Sequence, residues 1–219
     1  MVTYRPLEWS DVDAVVEAFD RTWGRPDMAD APALSMELSR HFTMHYLEPA
    51  ARADVAVDDD GRFLGISASR VEGQPTPFAE RARAELAAVD ARLEDGGLGE
   101  RVLTDTRALH RVEVELEDSI GLNDRIHAEV ELFLVSPDAR GKGVGGTLWH
   151  RQMAWFAQMG VPGYYLHTDT GCDVSFYDYH GLKRVAEMEA SQCPGLDEDI
   201  FIYEGVPEEN DTTRAEHRG

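Results

Sequence analysis

Apolar residues in the first third of the chain recur with two different periods. Residues 2–7, 54–57 and 63–71 are short apolar-rich runs typical of strands, and the turn signal from Asp58 to Gly61 predicts that the last two form a hairpin. Residues 11–23 and 33–47 carry apolar side chains every three or four positions, which predicts two amphipathic helices. Ser10 or Asp11 can cap the first of these helices.

The pattern of apolar and polar residues changes between residues 72 and 127. Two prolines precede a charged, alanine-rich segment that predicts a helix over residues 78–93, and a glycine-rich stretch ends it. Residues 111–117 read RVEVELE, and this strict alternation of apolar and charged residues predicts a half-buried strand. We therefore predict that residues 72–127 form an insertion, or an elaborated face, of the domain.

The second half of the chain alternates strands with helices. Strands are predicted over residues 129–135, 164–168, 183–188 and 199–203, with helices over 145–159 and 173–179 between them. The segment from Val206 onward is polar. We expect a single domain over residues 1–205 and a disordered tail over residues 206–219.

Charge excludes some classes of partner. The 219 residues hold 21 Lys and Arg against 42 Asp and Glu, a net charge of −21, so nucleic acid should be repelled and cationic ligands attracted. There is no apolar run of transmembrane length and no signal-peptide pattern, so we expect no membrane association.

Cys172 and Cys193 make no disulfide framework, which favours a cytoplasmic protein.

The segment PDARGKGVGG, residues 137–146, lies between a predicted strand and a predicted helix. The first N–H groups of a helix lack partners within it, and the helix dipole adds partial positive charge there. Glycines let an anion reach the backbone, and Arg140 and Lys142 add formal charge. The segment therefore predicts a phosphate or pyrophosphate site. Its spacing fits neither the Walker loop nor the dinucleotide-binding G-x-G-x-x-G motif.

Two motifs resemble those of a known family. The stretch ELFLVSPDARGKGVGGTLW resembles the strand and pyrophosphate loop, R/Q-x-x-G-x-G/A, of the GNAT N-acetyltransferase superfamily. Downstream, FYDYHGL is similar to that family's F-Y-E-x-x-G-F block, with Leu182 in place of the common Phe. The resemblance implies an α/β (α+β) fold with a mixed, mostly antiparallel central sheet, two splayed parallel central strands and flanking helices.

The resemblance also implies acetyl-CoA as co-substrate, held between strands 129–135 and 164–168. The pantetheine arm would bond to backbone groups of the first strand, and the pyrophosphate would lie on the N–H groups of the glycine-rich loop. The implied acetyl-CoA contacts are Phe133, Val135, Arg140, Gly141, Lys142, Gly143, Val144, Gly145 and Gly146.

Acetyl transfer to an amine needs two proton transfers. By position in the resembling motif, Tyr177 would protonate the departing thiolate, with Tyr179 as a weaker candidate. Glu129 and Glu131 are candidates for the base that deprotonates the amine; two positions apart on a strand, they should share a face with Phe133. Glu113 and Glu115 could instead line the substrate side, these glutamates could lie on solvated strand faces, or the base could act through water.

The resemblance implies a primary amine of a small molecule or a peptide as acceptor. Polyamines, aminoglycosides, amino acids, peptide N-termini and lysine side chains all remain open, and the acidity of the chain slightly favours cationic amines. Dimers are common in the resembling family, which leaves a homodimer open. Two rival interpretations are a CoA-binding sensor without turnover and a partner-binding protein that uses its acidic surface. His41 and His45 have metal-ligand spacing on a helix, but no third ligand is evident, so we predict no metal site and a packed or substrate-facing pair.

Overall fold

The computed structural model describes residues 1–139, 141–193 and 197–207. Their strands form one sheet of seven in the order β1-β2-β3-β4-β5-β7-β6. The strands are β1 (Val2–Pro6), β2 (Arg52–Asp58), β3 (Phe63–Val71), β4 (Ala128–Val135), β5 (Tyr164–Asp169), β6 (Lys183–Met188) and β7 (Ile200–Gly205). Every pairing is antiparallel except β4 with β5, which is parallel.

Helices cover both faces of this sheet. The α-helices are α1 (Val12–Trp23), α2 (Pro32–Leu47), α3 (Ala79–Leu93), α4 (Leu98–Ser119), α5 (Val144–Gln158) and α6 (Ser175–Tyr179). Apolar residues of α1 and α2 pack with Leu132 and Leu134 of β4 in one core cluster. Trp149 and Phe156 of α5 pack with Val130 in a cluster on the opposite face. Burial on both faces accounts for the apolar character of the central strands.

The predicted GNAT-type sheet, with its splayed parallel pair, is confirmed. The predicted strands and helices coincide with observed elements to within a few residues, apart from residues 111–117. The described helices are all too short or too polar to cross a membrane.

The predicted strand over residues 111–117 is wrong, because this segment is the last part of the 22-residue helix α4. Val112 and Leu116 are buried, as their spacing of four residues requires on a helix, whereas Val114 is 53% exposed. Helices α3 and α4 occupy most of residues 72–127. Helix α4 packs on α3 and also on β6 and β7, next to α2.

The division of the chain into a domain over 1–205 and a tail over 206–219 stays a prediction. Strand β7, the last described element, ends at Gly205. Residues 208–219, most of the predicted disordered tail, lie outside the described residues.

Candidate functional site

The site begins with a gap between the two parallel strands. On one side, β4 pairs with β3 from Val71↔Ala128 to Gly65↔Val135. On its other side, the described residues of β4 and β5 pair only at Glu129↔Tyr165. Beyond that point the strands diverge, so the edge of β4 from residue 130 to Val135 faces a space that an extended ligand could enter as an added strand.

The glycine-rich loop lies at the end of this gap. Gly141 and Gly143 have φ of +74° and +75°, a left-handed conformation that glycine adopts without strain. Helix α5 begins at Val144, and its N-cap Gly143 has no side chain to accept bonds from the first-turn N–H groups. Lys142 donates from Nζ to the carbonyl oxygen of Asp138 at 2.7 Å. Arg140, predicted to contact the pyrophosphate, lies outside the described residues.

A β-bulge in β4 sets the directions of the side chains around the gap. Ala68 pairs with Leu132 and Ser69 pairs with Val130, which leaves Glu131 as the extra residue. Glu129 and Glu131 both contact Arg70 of β3, as expected of two carboxylates on one face. The prediction that Phe133 shares this face is wrong.

Phe133 lies on the α5 face because the bulge shifts the alternation by one residue. Its ring stacks on Phe176 at a centroid distance of 5.2 Å and meets Trp149 edge-on at 5.4 Å. Gly145 is also close, since a Cβ there would lie 3.8 Å from the Phe133 ring and 3.2 Å from Val135. The loop helix and the aromatic residues therefore form one wall of the gap, and the glutamates lie on the other side of the sheet.

Glu129 is held in a row of buried charges. Its Oε1 lies 3.1 Å from Nδ1 of His167, whose Nε2 lies 3.4 Å from Glu117 Oε1 on α4. Burial acts to raise the pKa of Glu129, but the bond and charge of His167 and the charge of Arg70 outweigh it and lower this pKa to about 2. Burial acts to lower the pKa of His167, but Glu129 and its acidic neighbours raise it to about 9. Glu129 and His167 thus form a buried ion pair at neutral pH.

Tyr165 connects the buried row of Glu129, His167 and Glu117 to Arg70 through its hydroxyl group. Its fully buried hydroxyl accepts a hydrogen bond from Arg70 Nη2 at 2.7 Å and lies 3.3 Å from Glu117 Oε1. Burial acts to lower the pKa of Arg70, but the charges of Glu129 and Glu131 outweigh it and raise this pKa. The guanidinium therefore stays charged and fixes both carboxylates of β4.

Two other carboxyl groups on this face have raised pKa values, in contrast to Glu129. Burial and the neighbouring Glu129 charge raise the pKa of Glu131 well above its usual range, against the pull of Arg70. Burial also raises the pKa of Glu113, on α4, to about 7; the charge of His167 opposes this shift, and nearby carboxylates add to it. A carboxylate with a raised pKa binds a proton more tightly, so both groups are better suited than Glu129 to accept one.

Glu117, Glu129 and His167 bring potential ligand atoms within 4.8 Å of one another, so they could hold a metal ion. The same three groups already balance charge among themselves and with Arg70. A divalent cation there would have to displace the His167 proton and lie beside the guanidinium, which is an unfavourable arrangement. We assign no metal to these residues.

Tyr177, the predicted acid, is half-buried on α6, with its ring 5.7 Å from that of Tyr203 and 6.1 Å from Trp149. Burial, with nearby Cys172 and Asp169, raises the pKa of its hydroxyl, so the phenol keeps its proton at neutral pH. Burial also raises the pKa of Cys172 to about 11, which keeps that thiol protonated. Tyr179 is 86% exposed and lacks such surroundings.

His41 and His45 of α2 pack against a third histidine that the sequence did not connect with them. His110 of α4 stacks on His45 at a centroid distance of 3.9 Å and lies 5.9 Å from His41. Burial lowers the pKa of His45 to about 4 and that of His110 to about 3, so both rings are neutral at pH 7. The pair was predicted to be packed or substrate-facing; its rings are packed, and α4 completes the stack.

Sequence reasoning missed Arg70, Glu117, Tyr165 and His167. Arg70 was detectable in part, because it is the one charged residue in the strand FLGISASRV. His167 was detectable in part, because it is a titratable residue inside the mostly buried strand YYLHTD. Such residues are rarely buried without a partner. Which partner each one meets depends on the pairing of β3, β4 and β5, and the sequence does not show it.

Comparisons with known proteins agree with this geometry. The acetyltransferase (GNAT) family matches residues 111–181. The fold is similar to the crystal structure of SsHAT, with a TM-score of 0.66 and 21% identity over 95% of this chain and 99% of that one. It is also similar to arylalkylamine N-acetyltransferase 2 from Aedes aegypti, with a TM-score of 0.58 and 14% identity over 94% and 99%.

A third similar structure is the ribosomal-protein-S18-alanine N-acetyltransferase from Escherichia coli, with a TM-score of 0.56 and 13% identity over 95% of this chain and 96% of that one. At these identities the structural matches establish the fold alone. The matched family segment, residues 111–181, contains the gap, the loop and α6, so the local match and the fold both support a GNAT acetyltransferase.

A curated relative of another description also matches. DNA mismatch repair protein MutS 1 of Haloarcula marismortui is 29% identical over 154 residues, which are 65% of this chain. The chain spans 16% of the length of that relative.

Proposed function

We propose that this protein is an acetyl-CoA-dependent N-acetyltransferase that moves an acetyl group to a primary amine. One observation carries the proposal: the gap between β4 and β5 runs into a glycine-rich loop at the start of α5, all within the matched family segment. An extended arm could pair with the free edge of β4 while its pyrophosphate lies on the first N–H groups of α5. The contacts proposed for acetyl-CoA are those expected from the sequence, Phe133, Val135 and residues 140–146, of which Arg140 lies outside the described residues.

The proposed reaction is direct transfer. The neutral amine attacks the thioester carbonyl, a C–N bond forms and the C–S bond breaks, which yields an amide and the free thiol of CoA. A backbone N–H of β4 near Val135 would stabilise the oxyanion. Tyr177 would give its proton to the leaving sulfur, because its phenol is protonated and lies on the same side of the sheet as the loop helix.

Of the two predicted bases, we favour Glu131. Glu129 is fixed between Arg70 and His167, and its lowered pKa makes it a poor acceptor for the proton of an ammonium group. Glu131 bonds to Arg70 through Oε1 at 2.7 Å, and its second oxygen has no partner among the described residues. In this scheme Glu129 is a positioning residue that holds Arg70 and His167, and Glu131 receives the proton directly or through water.

The mismatch-repair relative does not change this proposal. The chain corresponds to a small part of that protein, and a net charge of −21 opposes contact with DNA. We propose a small-molecule or peptide amine as acceptor and a cytoplasmic setting, in which both cysteines stay free thiols.

The first test is thermal unfolding with and without acetyl-CoA. A ligand that binds only the folded state stabilises it by about 2.7 kcal/mol at a hundredfold excess over its dissociation constant. Gly146 offers a matched pair of variants, because a Cβ there meets nothing within 4 Å. Gly146→Ala should keep the acetyl-CoA shift. Gly146→Glu should fold, since an acidic residue suits the first turn of a helix, but should lose the shift by repelling the pyrophosphate.

Turnover is then measured as release of CoA thiol in the presence of amines. Stabilisation of the wild type and of Gly146→Ala, loss in Gly146→Glu, and amine-dependent thiol release would support the proposal. Absence of any shift with millimolar acetyl-CoA would refute it. Stabilisation without thiol release from any amine would favour the CoA-binding sensor instead.

A further inference from the structure

The face of the sheet that carries Glu131 holds more negative than positive charge. Five carboxyl groups lie close together there, contributed by α4, β4 and the end of β5: Glu113, Glu117, Glu129, Glu131 and Asp169. The cations that contact them among the described residues are Arg70 and protonated His167. When all five are ionised, five carboxylates against two cations leave an excess of three negative charges.

Glu113 is the carboxyl group with the fewest protein contacts in this set. It is half-buried, and it makes no hydrogen bond or ion pair within the part of the chain that the structure describes. It lies on the same side of α4 as His110 and Glu117, three residues after one and four before the other, so it faces the sheet. By contrast, Glu115 is exposed on the outer side of the same helix.

Two other polar groups near Glu113, those of His110 and Tyr46, make no hydrogen bond with the described residues. Nε2 of His110 is buried without a hydrogen-bond partner among the described residues. Tyr46 of α2 is half-buried, and Glu113, Asp169, Glu131 and Cys172 all lie close enough to raise the pKa of its hydroxyl, after burial itself. These groups come from α2, α4, β4 and the end of β5 and lie near one another, on the face of the sheet opposite Phe133.

The excess negative charge also affects proton binding in the protein without a ligand. Burial raises the pKa values of Glu113 and Glu131, and neighbouring carboxylates raise them further, so both groups tend to bind protons when no ligand is present. A ligand that brings positive charge would replace those protons. A neutral ligand would leave the carboxylates uncompensated, at the cost that burial of a charge carries.

We propose that the acceptor is an aliphatic diamine or polyamine, with the reacting amine beside Glu131 and a second ammonium group bound by Glu113. This inference rests on the proposed acetyltransferase function and gives it a substrate class. Helix α4 has a role in this scheme, since it supplies Glu113 and Glu117 and closes the acceptor side of the site. Tyr46 and His110 would add hydrogen bonds or ring contacts to the same ligand.

The test compares each diamine with the amino alcohol of equal length. 1,3-Diaminopropane and 1,4-diaminobutane are set against 3-aminopropanol and 4-aminobutanol, with thiol release measured at saturating acetyl-CoA. We expect kcat/KM to be at least about tenfold higher for each diamine, since a charge-assisted hydrogen bond contributes at least that factor. Glu113→Gln should remove most of this preference, mainly by raising KM for the diamines, so that the ratio of kcat/KM between each diamine and its amino alcohol falls towards one.

The matched control is Glu115→Gln, which removes the same charge two residues away on the exposed side of α4. It should leave the preference for diamines intact, which separates the site from general attraction by the acidic surface. Equal kcat/KM for diamines and amino alcohols in the wild type would overturn the inference even if Glu113→Gln fails to fold. A preference that survives in a folded Glu113→Gln would overturn it too.

These outcomes are distinct from failure of the proposed function. If acetyl-CoA does not stabilise the protein, acetyl transfer itself is refuted. If acetyl-CoA binds and neutral amino alcohols are acetylated as well as diamines, acetyl transfer stands and the assignment of a dicationic acceptor is refuted.

Discussion

At the scale of single residues, the proposed acid can be separated from the binding of acetyl-CoA. Replacing Tyr177 with Phe removes one hydroxyl, whose proton the scheme gives to the leaving sulfur, and keeps the ring contacts with Tyr203 and Trp149. We expect kcat to fall by about 10²-fold or more, as for loss of a general acid, with the thermal shift by acetyl-CoA unchanged. Tyr179→Phe, at an 86% exposed position, is the control and should be neutral. Unchanged kcat in Tyr177→Phe would assign the acid to another group.

The buried pair of Glu129 and His167 predicts how stability depends on pH. The pKa of His167 rises from about 6.5 in the unfolded chain to about 9 in the folded protein, so the folded state binds its proton more tightly. Its contribution to stability is complete below pH 6.5 and is lost as the pH rises through 9. The free energy of unfolding should therefore fall over this window, by at most about 1.4 kcal/mol per pH unit for one proton.

Urea denaturation at several pH values measures this slope. His167→Asn should be less stable than the wild type at pH 7 and should lack the fall between pH 6.5 and 9. His150→Asn, which changes an exposed histidine on α5, should retain it. If the slope persists in His167→Asn, His167 does not carry the buried proton.

At the scale of elements, the sequence predicted the sheet and most helices because each has one clear apolar period. Residues 111–117 show where that reasoning fails. RVEVELE alternates as a strand does, yet Val112 and Leu116 also satisfy helical spacing. Upstream, the partly buried Leu109 and the buried Thr106 and Val102 continue that spacing at intervals of three or four residues. A seven-residue window could not distinguish the two periods, because Val114 is an apolar residue on an exposed helix face.

Only those parts of the site that lie in local sequence motifs could be predicted from the sequence. The loop and Tyr177 follow from local patterns, but the bulge at Glu131 depends on how β4 pairs with β3 while it separates from β5. That bulge places Phe133 on the opposite face from the glutamates. The contacts of Arg70 and His167 with Glu129 arise from residues 38 or more positions apart, which no local pattern specifies.

The helical register of α4 can be tested with two matched substitutions. Val112→Thr should cost about 1–3 kcal/mol in unfolding free energy, because it buries a hydroxyl at a position that is 7% exposed. Val114→Thr, at a position 53% exposed, should change it by less than about 0.5 kcal/mol. Chemical denaturation gives both values. In a strand the two residues would share one face, so equal losses would argue against the helix.

At the scale of the whole molecule, the net charge of −21 acts in opposite directions on the two proposed substrates. Acetyl-CoA is an anion that must approach an acidic protein and is attracted only close to the loop, where Lys142 and the start of α5 lie. A diamine is attracted at every distance. The screening length falls from about 30 Å at 0.01 M salt to about 8 Å at 0.15 M, so salt weakens the field of the whole molecule before it weakens contacts within the site.

We therefore expect the association rate constant of acetyl-CoA to rise with salt over this range, and kcat/KM for 1,4-diaminobutane to fall, each by up to on the order of tenfold. Stopped-flow binding measures the first and thiol release measures the second. Lys142→Gln should slow acetyl-CoA association at every salt concentration and should leave the direction of the salt effect unchanged. If acetyl-CoA association instead slows steadily as salt is added to the wild type, attraction by the loop outweighs the acidic surface, and the molecule presents a local positive field despite its net charge.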